Sequence, residues 1–82
     1  MSKSEKDSLK ILVSDTKFKE AIIEMMKATK DKNSDLYNAL NLQRTRLNQL
    51  NGDITDGIIT KNEGDIERNK ITKALLQLID EL

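Results

Sequence analysis

The sequence predicts an all-α fold: a small four-helix bundle in which two short helices precede a long antiparallel helical hairpin. Three observations predict it. Apolar residues recur at three- and four-residue spacings along most of the 82-residue chain, the period of one buried helix face. There is no proline, and all three glycines, Gly52, Gly57 and Gly64, fall inside one stretch, "LNQLNGDITDGIITKNEGD". One Tyr, one Phe and no Trp are too few aromatics for the strands of a β sandwich or barrel. A chain of this length makes one domain, residues 1–82, with a modest core.

The first helix is predicted over about residues 4–13. Ser4 followed by Asp7 reads as a short capping box, and Leu9, Leu12 and Val13 form its apolar stripe, with Ile11 off it. "SDT" at Ser14–Thr16 is a stop and restart, with Ser14 or Asp15 capping the second helix. That helix covers about residues 16–31. Phe18, Ala21, Ile22, Met25 and Ala28 or Thr29 share one face, and Ile23 and Met26 widen it. A stripe this wide implies two neighbours in the bundle or a patch left for a partner.

"KDKNSD" breaks the pattern, and Asn33 or Ser34 caps a third helix over about residues 34–56. Asp35 in its first turn suits the positive end of the helix dipole. Leu36, Leu40, Gln43, Leu47, Leu50 and Ile54 make a heptad seam with one polar member. Gln43 either sets register or partner state from within the seam, or lies at its edge and reaches water. The fourth helix, about residues 61–82, opens on a Thr60–Glu63 capping box, and its far half carries Ile71, Ala74, Leu75, Leu78, Ile79 and Leu82.

Gly57 stands where a left-handed cap would close the third helix. The short linker after it folds the two long helices back on each other. Pairing outward from the bend brings Ile54 to Gly64, Leu50 to Arg68, Leu47 to Ile71 and Gln43 to Leu75. Gly52 and Gly64 each weaken a helix by about 1 kcal/mol relative to alanine, which predicts a frayed, mobile tip.

Composition narrows the function. Fourteen basic and fourteen acidic residues give zero formal net charge, poor material for nucleic acid or an acidic membrane. With no His and no Cys, the commonest general base, metal ligand and thiol nucleophile are missing. "NGDITDG" lacks the glycine and glutamate offsets of a calcium loop, so Asp53 and Asp56 read as solvated surface. Arg44 and Arg46 in "NLQRTRLNQLN" have no aromatic neighbours for RNA stacking. Glu20 and Glu24, near Lys17 and Lys27, read as surface ion pairs. No apolar run spans a membrane and "MSKSEKDSLK" is no signal peptide, so a cytoplasmic chain is expected. No enzyme activity and no cofactor are expected. A strong apolar helix ending at Leu82 reads as a segment of a longer protein.

From Asp35 to Leu82 the sequence resembles the bacterial effector-associated domain of the eleventh type. "DLYNAL", "DGIITKNE" and "ITKALLQLIDEL" carry the resemblance, at spacings that fit without a gap. The first two helices match in outline, a short helix followed by "EAIIEMM". The family pattern has an aromatic near Gly64 and an aliphatic near Arg68, and this chain has neither. The resemblance implies a helical adaptor, similar in role to death-fold modules. Such domains occur fused to effectors such as proteases or TIR domains, and to NTPase signalling proteins, in bacterial conflict and immunity. There they bring like-tagged proteins together by homotypic contact.

The reading is a non-catalytic adaptor whose partners are like domains on effector or signalling proteins, with homo-oligomers compatible. Ile23, Met26, Tyr37 and Leu42, apolar positions beside the core, are the expected interface residues. The alternative is a structural oligomerisation domain with no immune role, its leucine seam continued across a dimer. A nucleic-acid-binding regulator ranks third.

Overall fold

The computed structural model describes residues 2–82. Its first helix, α1 (Lys3–Ser14), starts two residues earlier than the Ser4 cap predicted. Ser2 is the cap: its Oγ accepts the Glu5 amide at 3.2 Å and donates to the Glu5 carboxylate at 3.2 Å. A glutamate three residues after the cap reaches back where Asp7, one methylene shorter, reaches less well. Ser4 is helical instead, its carbonyl accepting the Ser8 hydroxyl.

α1 ends in a Schellman turn. The Lys17 amide donates to the Leu12 carbonyl at 2.9 Å and the Thr16 amide to the Val13 carbonyl at 3.0 Å. Thr16 takes the left-handed position, φ 61°, unusual for a β-branched residue. The segment therefore finishes α1 rather than capping the next helix, correcting the role expected of Ser14 and Asp15. α2 (Phe18–Thr29) begins after Thr16, since a left-handed residue cannot lead a right-handed helix, and its N-cap Lys17 offers no side-chain bond.

α3 (Ser34–Thr55) is capped by Asn33, whose side chain accepts the Leu36 amide at 3.1 Å. It closes in a second Schellman turn, with Ile58 donating to the Asp53 carbonyl at 2.9 Å and Gly57 left-handed at φ 73°, as the glycine's place in the sequence predicted. α4 (Lys61–Glu81) opens on the predicted box: Thr60 Oγ1 accepts the Glu63 amide at 3.2 Å and donates to its carboxylate at 3.2 Å.

The helices pack in chain order around a ring, α1 on α2, α2 on α3, α3 on α4 and α4 on α1. α2 also touches α4 across the diagonal, whereas α1 and α3 do not meet. One core runs through them, with Val13, Ile22, Met25, Leu40, Leu75 and Ile79 its largest fully buried side chains. The Lys10–Asp80 ion pair, 3.2 Å, ties α1 to α4 at the surface.

The register of the α3–α4 hairpin is fixed near its bend. A Cβ placed on Gly64 would stand 2.7 Å from Ile54 Cδ1 and 3.2 Å from its Cγ1. Gly64 is thus a buried packing position that admits the Ile54 side chain, and the only buried residue between Asn51 and Lys70. Both helices also reach the bend intact and capped. The glycines therefore do not interrupt the helices: α3 stays regular to Thr55 and α4 starts at Lys61.

α1 and α2 have 12 residues each, α3 and α4 22 and 21. At about 1.5 Å per residue, the short pair covers only about half of the hairpin. Phe18, at the start of α2, shares a surface hollow with Leu47 and Asn51, so everything beyond that level projects. Glu5 and Leu82 share another hollow with Asn33 at the opposite pole, which places both chain ends away from the bend. The molecule measures 39 × 22 × 16 Å.

Candidate protein-interaction surface

Helix periodicity gives α3 two stripes. Leu36, Leu40, Gln43, Leu47 and Leu50 are buried, the core seam read from the sequence. One residue earlier at each step run Leu42, Arg46, Gln49 and Asp53, spaced four, three and four. This second stripe is rotated about 100° from the first and lies away from α1 and α2. Leu42, at its head, is 50% exposed.

Arg46, Gln49 and Asp53 form one wall of an open groove of about 660 Å³ along the hairpin. Glu63, Glu67 and Lys70 of α4 form the facing wall. Leu50 and Ile71 floor it, Ile59 closes the bend end, and Ile66 stands 57% exposed on its rim. The groove therefore combines an apolar floor with walls that carry charges of both signs. Glu67 and Lys70 pair at 3.1 Å on the α4 wall, an exposed pair that exchanges at little cost. Among the described residues Arg46 forms no ion pair.

The four residues expected at an interface are not brought onto one face. Ile23 on α2 and Leu42 on α3 are exposed. Met26 is 9% exposed and belongs to the core cluster. The two apolar stripes of α2 merge there, so the width of its hydrophobic face reflects its packing against α1, α3 and, across the diagonal, α4. Tyr37 is half-buried against the core, and at 100° per residue it lies about 140° around α3 from Leu42. Asp53, read from the sequence as solvated surface, and Arg46, set aside there as an RNA contact, are the charged residues of the groove's α3 wall. The sequence reading missed them; their four–three–four spacing with Leu42 is the signal that could have found them.

Gln43 lies inside the seam at 7% exposure, and its Oε1 is buried with no hydrogen-bond partner among the described residues. Glu24 and Lys27 pair at 3.5 Å on the outer face of α2, as their spacing predicted. No grouping of three His, Cys, Asp or Glu side chains able to hold a metal occurs among the described residues. No helix is long and apolar enough to cross a membrane.

Residues 4–82 match the family model described as Effector-associated domain 11. No curated protein and no solved structure matches the chain.

Proposed function

The chain belongs to the effector-associated domain 11 family, and we propose on that basis that it is a non-catalytic adaptor of a bacterial conflict system. It recruits effectors, in the cytoplasm, by contact between like domains. The observation that carries this reading is the family match from residue 4 to residue 82. Two features of the fold support it. The bundle covers only one side of its longest hairpin, and the uncovered side carries exposed Leu42 and Ile66 beside charges of both signs. Zero net charge leaves little repulsion between copies.

Ile23 and Leu42 are the exposed apolar residues we assign to partner contact. Met26 lies within the core and Tyr37 is half-buried against it, so neither is offered as a direct contact. The competing reading, a dimer built by continuing the α3 leucine seam, has less support. Leu36, Leu40, Leu47 and Leu50 are already buried within one chain, so that seam has little apolar surface left to bury.

The test is to mix the purified domain with matching domains borne by neighbouring effector genes and to titrate by calorimetry. At least one pair is expected to bind with a Kd of about 1–100 µM, roughly 5–8 kcal/mol. Absence of binding for every pair at high micromolar concentration would remove the homotypic reading.

A further inference from the structure

We infer that the groove between α3 and α4 is a self-complementary docking surface, where a second copy of this chain packs antiparallel about a two-fold axis. The inference rests on the homotypic reading and adds the surface, the symmetry and the pairs of residues that meet.

Four of the five charged residues lining the groove, all but Glu63 nearer the bend, are arranged so that a two-fold rotation sets opposites together. On α3, Arg46 and Asp53 stand two turns apart, with their midpoint between Gln49 and Leu50. On α4, Lys70 and Glu67 have their midpoint between Arg68 and Asn69. The contact of Gly64 with Ile54 fixes the antiparallel register of the helices. Counting outward from that contact at equal rise per residue, the level of Arg68–Asn69 falls opposite Gln49–Leu50. Both charge pairs are thus centred at the same height, with both cations on one side of that level and both anions on the other. The cations and anions of the α3 wall are separated by about 10 Å along the axis.

A two-fold axis through that level reverses the groove end for end. It sets Arg46 against Asp53 of the second copy and Lys70 against Glu67 of the second copy, and each contact occurs twice. The same rotation carries Leu42, 50% exposed, to the bend of the second copy, where Ile59 closes the groove. Charge pairs at the centre and apolar contacts at both ends form a closed, isologous interface in which one patch serves both partners. A parallel arrangement would set like charges together, a juxtaposition that disfavours it strongly.

The symmetry predicts a result that a nonspecific sticky surface would not give. In Arg46→Asp both α3 positions are acidic, and in Asp53→Arg both are basic. Each variant repels itself, yet each is complementary to the other at both contacts. Sedimentation equilibrium of the full chain is the measurement, with circular dichroism confirming helicity of each variant. Wild type is expected to self-associate, each single variant to do so at least about tenfold more weakly, and their equimolar mixture to recover to within about threefold of wild type. Wild-type association unchanged by either reversal would overturn this surface while leaving homotypic contact intact. Loss in both singles without recovery in the mixture would overturn the two-fold arrangement. A wild type that stays monomeric to about 1 mM and binds no like domain would overturn the homotypic reading itself.

Discussion

Gly64 and Ile54 occupy the same space from opposite helices: a Cβ on the glycine would come within 2.7 Å of Ile54 Cδ1. The glycine allows α4 to lie close on α3 where an alanine would push against a half-buried side chain. Two effects then oppose each other in Gly64→Ala. Helix propensity favours alanine by about 1 kcal/mol, and displacing Ile54 costs a similar amount. The net change should be within about 0.5 kcal/mol of zero. In an Ile54→Val background, where Cδ1 is absent, the same substitution should stabilise by about 1 kcal/mol. Urea denaturation of the four proteins measures this coupling. Equal increments in both backgrounds would mean that the two residues do not touch.

Gly52 is the control. It is helical and exposed, with nothing within 4 Å of a Cβ. Gly52→Ala should raise stability by up to about 1 kcal/mol, without the steric opposition met at Gly64. A loss of stability would show that the backbone at this turn needs freedom that the regular helix does not reveal.

Thr16 holds a position made for glycine. Its φ of 61° closes the Schellman turn of α1, as Gly57 closes that of α3. Thr16→Gly should add about 1 kcal/mol, equivalent to about 4–8 °C in Tm for a domain of this size. Gly57→Ala should cost a similar amount, about 1 kcal/mol. Thermal unfolding followed by circular dichroism gives both values, and shifts of the same sign would contradict the equivalence of the two turns.

Gln43 keeps an unpartnered Oε1 inside the leucine seam. Relieving it with Gln43→Leu should raise stability by about 1–2 kcal/mol. If the amide also enforces register, the more stable variant should lose its single oligomeric state in light scattering. A sharp distribution identical to wild type would count against that role and leave Gln43 as a cost to stability alone.

Met26 and Leu42 separate packing from contact. Met26→Ala should destabilise by about 2–4 kcal/mol, since its side chain is in the core. Leu42→Ala should change stability by less than about 0.5 kcal/mol and weaken association with like domains. Denaturation and binding measured on both variants check this. An unaffected affinity in Leu42→Ala would remove that residue from the interface.

The fold was legible because its determinants are local. Spacing of Leu36, Leu40, Leu47 and Leu50 marks a buried face, Thr60 and Glu63 mark a start, and Gly57 marks an end. What escaped depends on choices between near-equivalent residues or on distance in three dimensions. Ser2–Glu5 and Ser4–Asp7 are rival caps two residues apart. Thr16 gave no hint of a left-handed conformation, because β-branched residues rarely adopt one. The role of Gly64 is set by Ile54 across the bend, and propensity alone makes that glycine look like a defect. At the surface, apolar character drew attention to Met26 and Tyr37, while the stripe of Leu42, Arg46, Gln49 and Asp53 mixes chemistries and hides from any hydrophobicity pattern.

Both chain ends lie at the pole opposite the bend, with the long hairpin spanning about 30 Å between them and its tip. Cargo joined at either end is therefore held clear of the projecting bend. Two such rods laid antiparallel about a two-fold axis would point their loads outward in opposite directions. The domain would then work as a coupling rod that sets a fixed spacing between two tethered proteins, rather than as a clasp that presses them side by side.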